Sequence, residues 1–181
     1  VPFGEYVPLK KWLPFLGKIV AQVGDFRGGL EGKTLSWKNE QIGVQICYEI
    51  IFPGLSRAMA KNNASLLINI TNDAWFGKTS GPYQHFSMTV FRAVENRRAL
   101  VRSANTGISG FIDPAGRVLA STPLLQDAAL AQSIPFLKIK TVYTRIGDLF
   151  AQLCLVVVLL VILLEIVRYG TKRKAGQPAK P

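Results

Sequence analysis

An α/β domain followed by one membrane-spanning helix is the fold class that the sequence predicts, and three observations carry that expectation. From Lys33 onward, short apolar runs that suit strands alternate with segments of helical spacing. A long stretch after Gly81 repeats its apolar residues at helical intervals. Finally, Leu149 to Val167 reads LFAQLCLVVVLLVILLEIV, close to the ~20 residues that a helix needs to cross ~30 Å of hydrocarbon. With 49% hydrophobic residues in 181, the chain can build one real core and is not a disordered tail.

The opening VPFGEYVPLKKWLPFLGK, rich in proline and glycine, reads as an arm that gives way to a short irregular helix near Leu16 to Val23. A turn at Gly28-Gly29 precedes two strands, Lys33 to Trp37 and Gln41 to Cys47, joined by Lys38-Asn39-Glu40 into a hairpin that ends at the cysteine. Phe52 to Asn62, around the Pro53-Gly54 breaker, has helical spacing through Leu55 and Met59. SLLINIT from Ser65 has the apolar character of a buried strand. The order strand, cysteine, helix, strand is that of an α/β fold.

GPYQHFSMTVFRAVENRRALVRSA from Gly81 contains no internal breaker. It places Met88, Phe91, Val94 and Leu100 along the stripe of one long amphipathic helix, with the arginines mainly off it. TGISGFIDPAGRVLAST predicts two short strands about an Asp113-Pro114-Ala115-Gly116 turn, and Ala128 to Phe136 one more edge strand. There is no internal repeat.

The domain reading is residues 1-147 as one outward-facing unit, 148-168 as the membrane helix and 169-181 as a basic tail. Only Gln152 and Glu165 interrupt the apolar run. Glu165 lies near its end, where the carboxylate reaches the interface, and the basic cluster that follows places the C-terminus in the cytoplasm by the positive-inside rule. An outward domain that opens at Val1 with no export signal predicts further sequence upstream.

The formal charge is +11, but Arg168, Lys172, Arg173, Lys174 and Lys180 crowd the C-terminal end. The remaining basic excess fits anionic headgroups better than nucleic acid, for which the sequence carries no recognition motif.

Cys47 and Cys154 lie in segments that do not meet, which leaves Cys47 a free thiol. At the end of a strand and ahead of a Pro-Gly breaker, Cys47 has the placement of a nucleophile exposed at a sheet edge. A small buried hydrophobe is the competing reading. Tyr48 and Glu49 follow at once, and Glu5 sits in a glycine- and proline-bounded loop, so carboxylates are available as base or orienting groups. Carboxylates alone disfavour a thiolate, and a nearby cation is therefore required. The bland alternatives are Tyr48 in the core, Glu49 paired with Arg92 or Arg98, and Trp75 capping the domain. His85, the single histidine, stands at a helix start and is read as structural rather than as half of a Cys-His dyad.

Four separated blocks, VPFGEYVPL, GVQICYEIIFP, NITNDAWFG and ENRRALVRSANTGISGFIDPAGRV, together resemble the apolipoprotein N-acyltransferase family of the nitrilase superfamily. The resemblance covers nearly all of residues 1 to 147, and the terminal membrane helix is also the family's. It implies a nitrilase-like α-β-β-α sandwich, N-terminally incomplete here, on the outer face of a bacterial inner membrane. It further implies a Glu-Lys-Cys triad working by ping-pong acyl transfer. Phospholipid donates an acyl chain to the thiol, and the thioester passes it to the α-amino group of diacylglyceryl-cysteine in an apolipoprotein. No metal or soluble cofactor is implied.

Carried onto this sequence, the resemblance makes Cys47 the nucleophile and matches Glu5, Tyr48 and Glu49 to positions needed for activity or site shape. Trp75 and Phe76, with Asn72 in the same block, match a mobile loop that contacts lipid. The family's lysine precedes the VPFGEYVP block and its glutamate lies further upstream. The resemblance therefore implies that both fall outside these 181 residues, and that the chain alone is inactive and poorly folded. Two other classes compete: a membrane-tethered nitrilase-type amidase, and a non-catalytic lipid- or lipoprotein-binding fragment.

Overall fold

A computed structural model of the chain describes residues 29–175. The expected arm and short helix over Leu16 to Val23, the first half of the Gly28-Gly29 turn, and Glu5 lie outside the described residues. The chain divides into two compact units, Val1–Arg145 and Ile146–Pro181.

In the first unit, β1 (Thr34–Trp37) and β2 (Glu40–Ile46) form the expected hairpin. Trp37 pairs with Glu40 across a two-residue turn in which Lys38 takes a positive φ of 53°. A 3-10 turn (Cys47–Ile51) leads into α1 (Pro53–Lys61), whose first position is the proline that a helix start tolerates best. β3 (Ala64–Thr71) then runs parallel to β2, and a second 3-10 turn (Ala74–Phe76) precedes α2 (Gly81–Asn96). β4 (Ala99–Ala104) is parallel to β3, followed by antiparallel β5 (Gly110–Ile112) and β6 (Val118–Ser121) and the short α3 (Val142–Ile146). Parallel neighbours need a crossover, and α1 and α2 supply the two. The six strands lie in sequence order across one sheet.

The two helices cover one face of that sheet. Gly43 lets α1 approach, because a Cβ there would sit 2.9 Å from the Met59 sulfur and from Leu67 of β3. Ile50, Met59, Leu67, Ala93, Leu100 and Ile112 form the core on this side. On the opposite face Ile46 and Ile70 are about half exposed, at 55% and 49%.

The structure corrects three expectations. The long helix from Gly81 stops at Asn96: Arg97 turns left-handed at φ 51°, and Ala99–Ala104 pairs with β3 as a strand. Spacing alone could not separate these states, since Leu100 sits as well on a helical stripe as on one face of a strand. The stripe is only partly as expected: Met88 packs against the core and Leu100 is buried, but α2 buries His85, Thr89, Arg92, Ala93 and Asn96 while Phe91 and Val94 are exposed. Polar groups could be buried there because they find partners, which a periodicity count does not register. Finally, Ala128 to Phe136 is no strand. In the stretch that follows, Leu137 donates its N–H to the Ser65 carbonyl, and Trp37 stacks on Phe136 at 5.9 Å.

Arg98 anchors the chain below β4. Fully buried, its guanidinium donates to the carbonyls of Ala64, Asn96, Arg97 and Ile139, joining the β3 start, the α2 end and the chain before α3.

In the second unit α4 (Leu149–Ala175) holds an 18-residue stretch, Leu149–Ile166, long and apolar enough to cross a membrane. Arg168 and Glu165 pair at 2.9 Å one turn apart, beside the basic tail.

Candidate active site

The polar side chains around Cys47 gather at the C-terminal ends of the parallel strands, where α/β sheets place their sites. Cys47 follows β2 directly. Its φ of +50° is a left-handed conformation that costs a non-glycine residue ~1–3 kcal/mol and is kept only where surrounding contacts impose it. The thiol is half-buried.

Those contacts are a set of hydrogen bonds to the turn. The Glu49 carboxylate accepts the Ile46 N–H at 2.7 Å, and the Gln45 amide donates to the Glu49 carbonyl at 3.2 Å. Ser56 of α1 donates to the Gln45 oxygen at 2.6 Å, and Arg92 of α2 to the Ile51 carbonyl at 3.2 Å. Asn69 of β3 donates to the Gln45 carbonyl at 3.1 Å and to the Cys47 carbonyl at 3.2 Å.

Register explains why Asn69 is there. Gln45 pairs with Asn69, Asn69 with Arg102 and Arg102 with Gly110, so three buried polar side chains line up across β2, β3 and β4 on the helix-covered face. Arg102 Nη1 donates to Asn69 Oδ1, Nη2 to Asp73 Oδ2 at 2.6 Å, and Nε to the Ile108 carbonyl at 3.2 Å. Asp73 in turn accepts from Thr71 at 2.9 Å, lies 3.0 Å from His85 Nδ1, and has its N–H bound by Asn105 Oδ1 at 3.2 Å. Asp73 and Arg102 side chains are fully buried. Burial alone would push the Asp73 carboxyl up. The His85 hydrogen bond, the Arg102 charge and the Thr71 hydroxyl outweigh it and hold the group below the ordinary Asp value. Burial pulls the Arg102 guanidinium down, opposed by Asp73 and by the nearby Cys47 sulfur.

The sign of the Asp73 shift fixes a pH response. A depressed folded-state pKa contributes stability that is fully present above the unfolded value of about 3.9 and is lost as pH falls through the folded one. Unfolding followed between about pH 5 and pH 2 is expected to lose stability more steeply in the wild type than in Asp73→Asn. Parallel slopes would contradict the assignment.

Gly107 marks how tightly this cluster is packed. A Cβ there would lie 2.1 Å from Asp73 Oδ2 and 2.7 Å from Asp73 Cβ. Gly107→Ala is expected to cost about 1–3 kcal/mol by chemical denaturation. Gly54→Ala, in α1 with nothing within 4 Å, is the matched control and should be neutral or stabilising.

Of the residues expected from sequence, Cys47, Tyr48 and Glu49 share the first 3-10 turn. Tyr48 is partly exposed, with its ring 6.2 Å from Phe52 and 6.0 Å from His85, so it is not core. Glu49 pairs with neither arginine proposed for it: Arg92 holds Glu95 at 2.9 Å, and Arg98 binds carbonyls. Asn72 is exposed and its side chain accepts the Ala74 N–H at 3.1 Å, a turn-shaping bond. Trp75 and Phe76 separate: Trp75 is 88% exposed, whereas Phe76 packs edge-on to His85 at 5.5 Å. Glu5 lies outside the described residues. His85 sits in the second turn of α2, buried beside Asp73, with its Nε2 unpaired among the described residues. Sequence reasoning missed Gln45, Asn69, Asp73 and Arg102. For Gln45, Asn69 and Arg102 the signal available was a polar residue inside an apolar strand; Asp73, in the loop after β3, carried none. Among the described residues no cluster of His, Cys, Asp and Glu is suited to a metal ion.

A cysteine in a left-handed turn at the end of a parallel strand, beside a buried carboxylate-guanidinium pair, marks this α/β sheet edge as a candidate thiol site. Residues 5–139 match the carbon-nitrogen hydrolase family, and the chain belongs to it. More particularly, it is similar to the protein named apolipoprotein N-acyltransferase of Geobacter metallireducens, 53% identical over 154 residues, 85% of this chain and 30% of that protein. A second protein of that name, from Bdellovibrio bacteriovorus, is 44% identical over 140 residues, 75% of this chain and 26% of the relative. This chain thus spans about a third of the length of the curated relatives it matches. Among solved structures it is similar to an amidase from Nesterenkonia sp., with 25% identity and a TM-score of 0.47 over 68% of this chain and 44% of that one.

Proposed function

We propose that this chain carries the thiol-bearing part of an apolipoprotein N-acyltransferase, with Cys47 as the acyl-accepting nucleophile. The observation that carries the reading is the left-handed Cys47 at the mouth of the sheet, held by bonds to its backbone that leave the sulfur free to react. In the first half-reaction the Cys47 sulfur attacks the ester carbonyl of a phospholipid acyl chain. The carbon–oxygen bond breaks, the lysophospholipid leaves as an alcohol after taking a proton, and a thioester remains. In the second, the α-amine of a diacylglyceryl-cysteine attacks the thioester carbonyl, the carbon–sulfur bond breaks, and the thiolate is regenerated as the amine gives up a proton.

Glu5, Tyr48 and Glu49 shape the site around the thiol in this reading, Glu49 by bonding the Ile46 N–H. Asn72 shapes the turn that presents Trp75 to lipid, while Phe76 roots the loop against His85. The catalytic lysine and glutamate of the triad are supplied from outside the 181 residues. The membrane helix Leu149–Ile166 anchors the chain, and its basic flank sets the C-terminus in the cytoplasm with the sheet domain on the periplasmic side of a bacterial inner membrane.

The test is intact-mass detection of a hydroxylamine-labile acyl adduct after incubation with phospholipid. It is run on the 181-residue chain and on the chain joined to the upstream portion of a relative, with and without an amine-bearing lipopeptide. An adduct discharged by the amine supports the transferase. Hydrolysis of a soluble amide without lipid would instead make the protein an amidase, and indifference of lipid binding to Cys47→Ser with no adduct would leave a binding module. Trp75→Ala is expected to leave unfolding stability within about 0.5 kcal/mol, because the side chain is solvent-facing, while adduct formation from vesicles falls.

A further inference from the structure

We propose that Asn69, oriented by the buried Arg102–Asp73 pair, is the positioning residue that holds Cys47 in the left-handed conformation presenting its thiol. This deepens the acyl-transfer reading and rests on it for its catalytic consequence, but not for its geometry.

An amide side chain has one acceptor and one donor end, and here the surroundings leave a single orientation. Arg102 has only donors, so Asn69 must turn its Oδ1 toward the guanidinium. Its Nδ2 is then aimed at β2, and its two hydrogens go to the carbonyls of Gln45 and Cys47, the residues on either side of Ile46. Turned the other way, the amide would set nitrogen against guanidinium and oxygen against two carbonyls. Asn69 therefore bridges the last β2 bond and the turn, and fixes the peptide that follows the cysteine.

Arg102 can perform this orientation only because it is itself fixed. Its second terminal nitrogen is paired with Asp73 at 2.6 Å, and its Nε with the Ile108 carbonyl at 3.2 Å. Asp73 is held by Thr71, Asn105 and His85 from three other segments. The chain of contacts runs from His85 on α2 through Asp73 and Arg102 to Asn69 and ends on the carbonyl of Cys47. Every side chain in it before the cysteine is buried. Asn69 meets Cys47 at its backbone carbonyl, whereas Arg102 also stands near enough to the sulfur to feel its charge, so the two contributions must be separated by the test.

Asn69→Asp tests the bond with minimal change of shape, because aspartate keeps an oxygen for Arg102 and loses both donations. Cys47 alkylation by iodoacetamide is measured from pH 6 to pH 10 on the lipid-reconstituted protein, with circular dichroism and melting temperature alongside. The plateau rate reached at high pH, where every thiol is ionised, is expected to fall about ten-fold while the fold is kept. A shift of the profile along the pH axis with the plateau unchanged would be a charge effect alone and would overturn the proposal, as would an unchanged profile.

If Asn69→Asp does not fold, Arg102→Lys decides. Lysine preserves the charge against Asp73 but not the planar fork that also reaches Asn69, and the same plateau must fall for the proposal to stand. Since alkylation needs no phospholipid, a reduced plateau with no acyl adduct even in the wild type joined to the upstream portion of a relative would sink the transferase reading and leave the positioning role intact.

Discussion

In the chain joined to the upstream portion of a relative, Cys47→Ser is expected to abolish the hydroxylamine-labile acyl adduct and to reduce acyl transfer by at least ~10^4-fold. Serine changes the reacting atom and little else. The turn is held through backbone groups and neighbouring side chains: the Cys47 carbonyl by Asn69, the Ile46 N–H by Glu49, and the Glu49 carbonyl by Gln45. None of these bonds involves the sulfur, so the serine variant should keep the fold and the melting temperature. A hydroxyl ionises far less readily than a thiol and leaves a tetrahedral intermediate less readily, so both half-reactions suffer. Intact mass and transfer to a lipopeptide amine provide the readout. Retention of more than about a tenth of the wild-type rate would remove Cys47 from the chemistry. Cys47→Gly sharpens the point, since glycine accepts φ +50° without strain and should be inactive yet at least as stable as the parent.

The second large effect is on folding. Asp73→Ala should cost about 3–5 kcal/mol in denaturant unfolding of the detergent-solubilised protein, because it strands the Arg102 guanidinium as a buried cation without its counter-charge. Against a typical total of about 5–15 kcal/mol, that is enough to unfold a marginal domain. Thr71 and His85 lose a partner at the same time, while Asn105 keeps its bond to the Asp73 N–H. Removing both charges in Asp73→Ala combined with Arg102→Met should recover much of the loss, since an apolar pair has nothing to desolvate. Such recovery distinguishes a stranded charge from a simple cavity, which the second substitution would not repair. A cost below about 1 kcal/mol for Asp73→Ala alone would mean that water reaches the guanidinium and that the pair does not organise the site.

Together the two experiments separate the layers of the site. In the proposed site the first assigns the chemistry to the sulfur, and the second assigns to the buried pair the scaffold that presents it. Gly107 belongs to the second layer, its missing side chain leaving room for the Asp73 carboxylate.

Much of the fold was legible in the sequence because its signals are local. The hairpin at Lys38-Asn39, the strand from Ser65, the Pro53 helix start and the Asp113 turn depend on residues a few positions apart, and each formed within about a residue of its expected limits. The apolar run from Leu149 needed only its length and composition. Cys47 was also legible as a candidate, from its place between a strand and a breaker.

The break between α2 and β4 was not legible. Arg97 supplies a left-handed turn without glycine or proline, and Ala99–Ala104 became a strand because β3 offered it a hydrogen-bonding edge. Nor could the sequence tell that Asn69, Asp73, His85 and Arg102, from β3, the loop after it, α2 and β4, converge on one point. Taken singly, each is an unwelcome polar residue in an apolar setting, and only the strand register turns them into partners. The sequence by itself determined the elements with local signals and the nucleophile candidate, through periodicity and turn chemistry that act over neighbouring residues. The tertiary structure alone decided which buried polar groups satisfy one another, since the cost of burying each is offset only by a partner brought from a distant part of the chain.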